Sequence, residues 1–137
     1  MPTEPTLSRR LARLMLARAT AGLPEPVMER ARLHALDNTA IALAAGPCLD
    51  ICREVLEGLA FGGTSGGSRV WGQAQRLPPP QAAFANAALA HALDYDDIHD
   101  VARLHPTTVS LPSALAVAEA AGASVSTVLT PSPWATS

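Results

Sequence analysis

Lysine is absent from this chain: all 10 basic side chains are arginine. The chain itself can therefore form neither a Schiff base nor a Walker-type lysine contact to phosphate. Charge of either sign is scarce. The arginines nearly balance 12 acids, for a formal charge of -2, and no basic cluster is present to hold a nucleic acid or an anionic membrane surface, so neither partner is expected. Aromatic residues make up only 4%. Apolar runs are alanine-rich and broken by charge before the roughly 18 residues that a membrane span requires. Arg9, Arg10, Arg13 and Arg18 interrupt the stretch where a signal peptide needs an apolar core, which predicts a surface amphipathic helix instead. Cysteine is limited to Cys48 and Cys52. Their i, i+4 spacing makes no C-x-x-C pair and predicts two free thiols buried on one helix face, in a cytoplasmic protein.

What is present is helical patterning. With 48% hydrophobic residues over 137 positions, the chain suits one ordinary domain and an all-α fold. Leu7, Leu11, Leu14 and Leu16 predict a first helix, with Thr6 or Ser8 as its cap and a stop near Gly22. A second opens at Pro24-Glu25-Pro26 and ends at Gly46-Pro47. Cys52, Val55, Leu56 and Leu59 mark a third at i, i+3, i+4 and i+7. The glycine-rich stretch from Phe61 to Gly72 lacks the spacing of a phosphate-binding motif and predicts a loop, with Ser68 to Trp71 briefly extended. After Leu77 and three prolines, a fourth helix starts near Gln81. It is apolar enough to be buried, with Asn86, His91 and Asp94 as its polar exceptions. A last helix is predicted from Pro112 to Ala121, ending at Gly122.

Chemistry is concentrated in residues 90–108, where Asp94, Asp96, Asp97 and Asp100 fall among His91, His99 and His105. Crowded, partly desolvated carboxylates have split pKa values suited to proton transfer, and histidine titrates near neutrality. The bland alternative is an acidic helix terminus with solvated histidines. Aspartate and histidine also ligate divalent ions. An EF-hand is excluded by the missing central glycine and terminal glutamate, but His99-Asp100 in a helical chain is similar to metal-dependent HD-type phosphohydrolases. A non-catalytic helical interaction domain is a third reading.

The string A-F-A-N-A-A-L-A-H-A-L-D-Y-D-D-I-H, followed by H-P-T-T-V-S-L-P-S-A-L-A-V-A-E-A-A-G, resembles the MmgE/PrpD family. Residues 33–46 and the V-W-G at 70–72 add weaker likeness. The family includes 2-methylcitrate dehydratase, an enzyme of propionate metabolism, and cis-aconitate decarboxylase. The resemblance implies the helical N-terminal domain of a larger homodimeric lyase, acting without metal or other cofactor on a small polycarboxylate. It implies catalytic roles for Asp94 and His105, and substrate-binding or positioning roles for Asp97, His99 and Arg103. Ile98 stands where the family often has threonine, which leaves the substrate open.

The likeness extends over residues 1–124, and 125–137 form a divergent tail. A member would continue from V-L-T into A-V-A-V-G-Y-E, whereas this chain reads P-S-P-W-A-T-S. The codons CCG TCG CCG TGG GCT ACG AGC encode that tail and, read from their third base, encode V-A-V-G-Y-E. A single-base deletion near Thr130 is therefore expected, with a truncated helical domain as its product. Nucleotide sequencing tests this, and an alternate frame without V-A-V-G-Y-E refutes it.

Overall fold

The computed structural model describes residues 4–60, 67–125 and 128. The predicted tail frame change at 131–137 lies outside them. Among the described residues, five helices and one short hairpin run in the order α1 (Leu7–Ala21), α2 (Glu25–Cys48), α3 (Asp50–Ala60), β1 (Ser68–Arg69), β2 (Arg76–Leu77), α4 (Pro79–His91) and α5 (Pro106–Ala120). The fold is helical, as the patterning predicts. No helix among the described residues is long and apolar enough to cross a membrane.

Helix α4 is the centre of the assembly and packs against α2, α3, α5 and both strands. Ala82, Ala85, Asn86, Leu89 and Ala90 form its buried stripe at helical spacing. Alanine at three of these positions lets neighbouring backbones come close, and Ala42, Ala45, Cys52, Leu56, Val70, Leu77 and Ala116 complete the core. Helix α4 is buried as expected, though Phe84 on its outer side is 60% exposed. Only one stripe of the helix meets the core. The leucines of α1 at 7, 11, 14 and 16 are likewise exposed beside its arginines.

Three boundaries differ from the sequence reading for identifiable reasons. Helix α2 runs one residue past Pro47 before Leu49, at φ -124 and ψ 124, turns the chain into α3. That break separates the two cysteines, so Cys48 is exposed while Cys52 is buried, both as free thiols. The helix-face argument fails because no single helix carries both. Helix α4 begins at Pro79, two residues before the expected start, because proline at the first helical positions already has the required φ. Helix α5 begins at Pro106 rather than Pro112. Proline inside a helix costs about 3 kcal/mol, and here Pro112 is buried with Leu111 and Ala116, so packing offsets the lost backbone hydrogen bond.

The hairpin pairs Ser68 with Leu77 and Arg69 with Arg76, antiparallel. Gly72 in its turn has φ +74, and a Cβ there would meet Leu43 Cδ2 at 3.2 Å. Ser68 Oγ donates to the Ala116 carbonyl at 2.6 Å, and the Arg69 N–H donates to Glu119 Oε2 at 2.6 Å. From α4, Asn86 accepts from the Trp71 N–H at 2.8 Å and donates to the Arg69 carbonyl at 2.9 Å. This answers how a polar residue survives on the apolar stripe. Asn86→Ala leaves both backbone groups without these partners and is expected to cost about 1–3 kcal/mol in urea unfolding.

Candidate active site

The site forms where α4 ends and α5 begins. Beyond His91 the chain turns through Asp94, whose N–H donates to the His91 carbonyl at 3.0 Å. Asp94 has φ 54, a left-handed conformation that aspartate tolerates better than most residues. A second tight turn follows. His99 N–H donates to the Leu104 carbonyl at 2.8 Å, Arg103 N–H donates to the His99 carbonyl at 2.7 Å, and Arg103 takes φ 49. This loop returns the chain so that His105, extended before Pro106, comes back beside His91.

The donor atoms of His91, Asp94, Asp96 and His105 all lie within 4.8 Å of one another. Asp96 is the hub, and its side chain is wholly buried. His91 Nδ1 lies 3.0 Å from Asp96 Oδ1 and 3.2 Å from Oδ2. The buried His105 Nδ1 lies 3.2 Å from Oδ2, within ion-pair range but without hydrogen-bond alignment. Thr108 Oγ1 donates a short hydrogen bond to Asp96 Oδ2 and accepts one from Asn38 Nδ2 at 2.9 Å. The two imidazoles meet edge to face, with centroids 4.6 Å apart. Burial pushes the Asp96 carboxyl upward. Hydrogen bonds from Thr108, His91 and its own backbone N–H, together with the charge of His91, outweigh that and hold it below its ordinary value.

A recess of about 320 Å³ opens beside the cluster, lined by Phe84, Ala87, Ala88, His91, His105, Thr108 and Val109. It combines an apolar wall with two imidazoles, a form suited to a small organic ligand. The larger recess of about 470 Å³ near Gly46 and Gln73 carries no histidine, and its Arg53 is tied to Asp50 at 3.4 Å and Glu57 at 3.3 Å. Size alone does not select the site.

Of the residues singled out from sequence, Asp94 and His105 are brought together. Asp97 instead lines a separate recess of about 460 Å³ with Arg30 and His34. His99 is exposed, with its Nδ1 accepting the Ala102 N–H at 3.1 Å. Arg103 is exposed on the same turn. His99 and Asp100, the basis of the phosphohydrolase reading, lie outside the metal-competent group found among the described residues. Sequence reasoning gave no separate role to His91, Asp96, Thr108 and Asn38. Asn38 carried a usable signal, since it interrupts the stripe of Ala35, Ile41, Ala42 and Ala45 on α2.

The MmgE/PrpD N-terminal domain matches residues 9–133. A cis-aconitate decarboxylase of Aspergillus terreus is 34% identical over 101 residues, covering 74% of this chain and 20% of the relative. The Homo sapiens cis-aconitate decarboxylase is 48% identical over 54 residues, covering 39% of this chain and 11% of its own length. That of Mus musculus is 30% identical over 99 residues, covering 72% and 20%. The chain spans at most about a fifth of the length of these curated relatives. On the match of its helical domain, the chain belongs to the MmgE/PrpD family.

Proposed function

We propose that this chain is the N-terminal part of a metal-free lyase acting on a small polycarboxylic acid, with Asp94 and His105 as its share of the proton-transfer machinery. The observation that carries the reading is their convergence within one cluster, whose His105 lines the recess beside Phe84 and Val109. Decarboxylation of an unsaturated tricarboxylate, the activity in the relatives' names, breaks a carbon–carbon bond and leaves its electron pair on carbon, where an acid must deliver a proton. Dehydration of a 2-methylcitrate-like hydroxy acid requires a base to remove a proton next to a carboxylate and an acid to protonate the departing hydroxyl. A carboxylate and an imidazole side by side suit either reaction. Arg103, on the turn leading to His105, is the motif's cation for a substrate carboxylate, His99 on the same turn is a positioning residue, and Asp97 has that role only from the separate recess it lines. The parent enzyme is a cytoplasmic homodimer in this reading.

The 137-residue protein is expected to turn over neither cis-aconitate nor 2-methylcitrate, because a fifth of a relative's length leaves much of such a site unbuilt. A longer chain with the frame restored near Thr130 is expected to be active. In it, Asp94→Asn and His105→Gln should each lower kcat about 100- to 10,000-fold, the range for losing general acid or base catalysis. Asparagine tolerates the left-handed backbone at position 94, so this variant removes the charge without straining the turn. Unchanged kcat in both variants refutes the assignment. Elemental analysis separates the other chemistry: the lyase reading expects no stoichiometric divalent ion, and a phosphohydrolase requires one.

A further inference from the structure

The lyase reading employs Asp94 and His105 and leaves the most buried acid of the site, Asp96, without a role. We propose that Asp96 is a positioning residue that fixes the Nδ1–H tautomer of His91. That ring then keeps an unprotonated Nε2, and His91 becomes a second proton acceptor beside His105. The inference rests on the proposed function only for the identity of what enters the recess.

Polarity carries the argument. A lone pair on His91 Nδ1, 3.0 Å from Asp96 Oδ1 and 3.2 Å from Oδ2, is repelled by those oxygens, whereas an N–H is attracted to them. His91 therefore carries a proton at Nδ1, while His105 Nδ1, at 3.2 Å from Oδ2, is not aligned for such a bond. The carboxylate cannot turn away, because Thr108 donates to Oδ2 and the Thr108 hydroxyl is itself engaged by Asn38 from α2. Nε2 lies across the His91 imidazole from Nδ1, and that ring lines the recess with His105 beside Phe84 and Val109. Asp94 is the other charged group within reach of the rings. It is exposed and reaches them from the turn after α4, so it competes with water in a way that buried Asp96 does not. His99 supplies an internal contrast. Its Nδ1 accepts the Ala102 N–H, so its neutral ring must carry the proton on Nε2.

The test is ¹⁵N NMR of the imidazoles in the 137-residue chain, at a pH where they are neutral. His91 is expected to show a protonated Nδ1 and a bare Nε2, and His99 the reverse. In Asp96→Asn, with helicity checked by circular dichroism, His91 is expected to lose the Nδ1–H signature. The proposal is overturned if His91 in the parent chain carries its proton on Nε2, or if folded Asp96→Asn keeps the His91 tautomer unchanged. If Asp96→Asn does not fold, the parent measurement alone decides. Turnover plays no part in this readout, so failure of the lyase assignment and failure of this one are distinguishable.

Discussion

Asp96→Ala is expected to destabilise the chain by about 2–4 kcal/mol, measured by urea unfolding at neutral pH. Removing a buried carboxylate strands the groups arranged around it, and this desolvation penalty exceeds the net worth of any single bond. Those groups are the Thr108 hydroxyl, with Asn38 behind it, and His91 Nδ1. Asp96→Asn keeps one acceptor oxygen and is expected to cost less. The same site predicts acid sensitivity. The folded-state pKa of Asp96 is depressed, so its contribution is fully present above the ordinary value of 3.8 and is lost as pH falls through the lower folded value. Stability measured below about pH 4 should therefore fall more steeply for the parent chain than for Asp96→Asn. Parallel curves would show that the carboxylate is not held in its charged form by folding.

Leu89→Ala is expected to cost about 3 kcal/mol, within the range for truncating a buried leucine. Leu89 is 1% exposed near the C-terminal end of α4, in the core beside Gly46 of α2. Small domains have only about 5–15 kcal/mol of net stability, so this one change removes a large share. Phe84→Ala on the same helix deletes a bulkier side chain, yet that side chain is 60% exposed and should cost less than about 1 kcal/mol. The order of the two effects is the test. A larger loss at Phe84 than at Leu89 would mean that α4 buries the opposite face.

The helices were legible because apolar spacing and helix punctuation agree along most of the chain. Gly22, with φ +78, follows α1, and Gly122, with φ +69, follows α5. The start of α5 was not legible, because Pro112 reads locally as a beginning. Only its burial beneath α4 and α2 explains why the helix runs through it. The Cys48 and Cys52 spacing misled for the related reason that a one-residue break at Leu49 changes which face each thiol shares.

At the candidate site, residue types and crowding were visible in the sequence, and the resemblance drew attention to Asp94 and His105. Four aspartates in seven positions cannot by themselves reveal which one folding buries. Asp96 and Asp97 are adjacent, yet one is enclosed by two imidazoles and a threonine while the other faces a separate recess. Local sequence determined the helical fold, the family and the segment that holds the candidate site, because periodicity, turn residues and motif strings act over a few neighbouring positions. Tertiary structure alone decided the hub. Asp96 becomes central only when the 99–104 turn returns His105 beside His91 and α2 brings Asn38 against Thr108, 70 residues away in the chain. A buried carboxylate keeps its charge only where donors from those separate elements surround it.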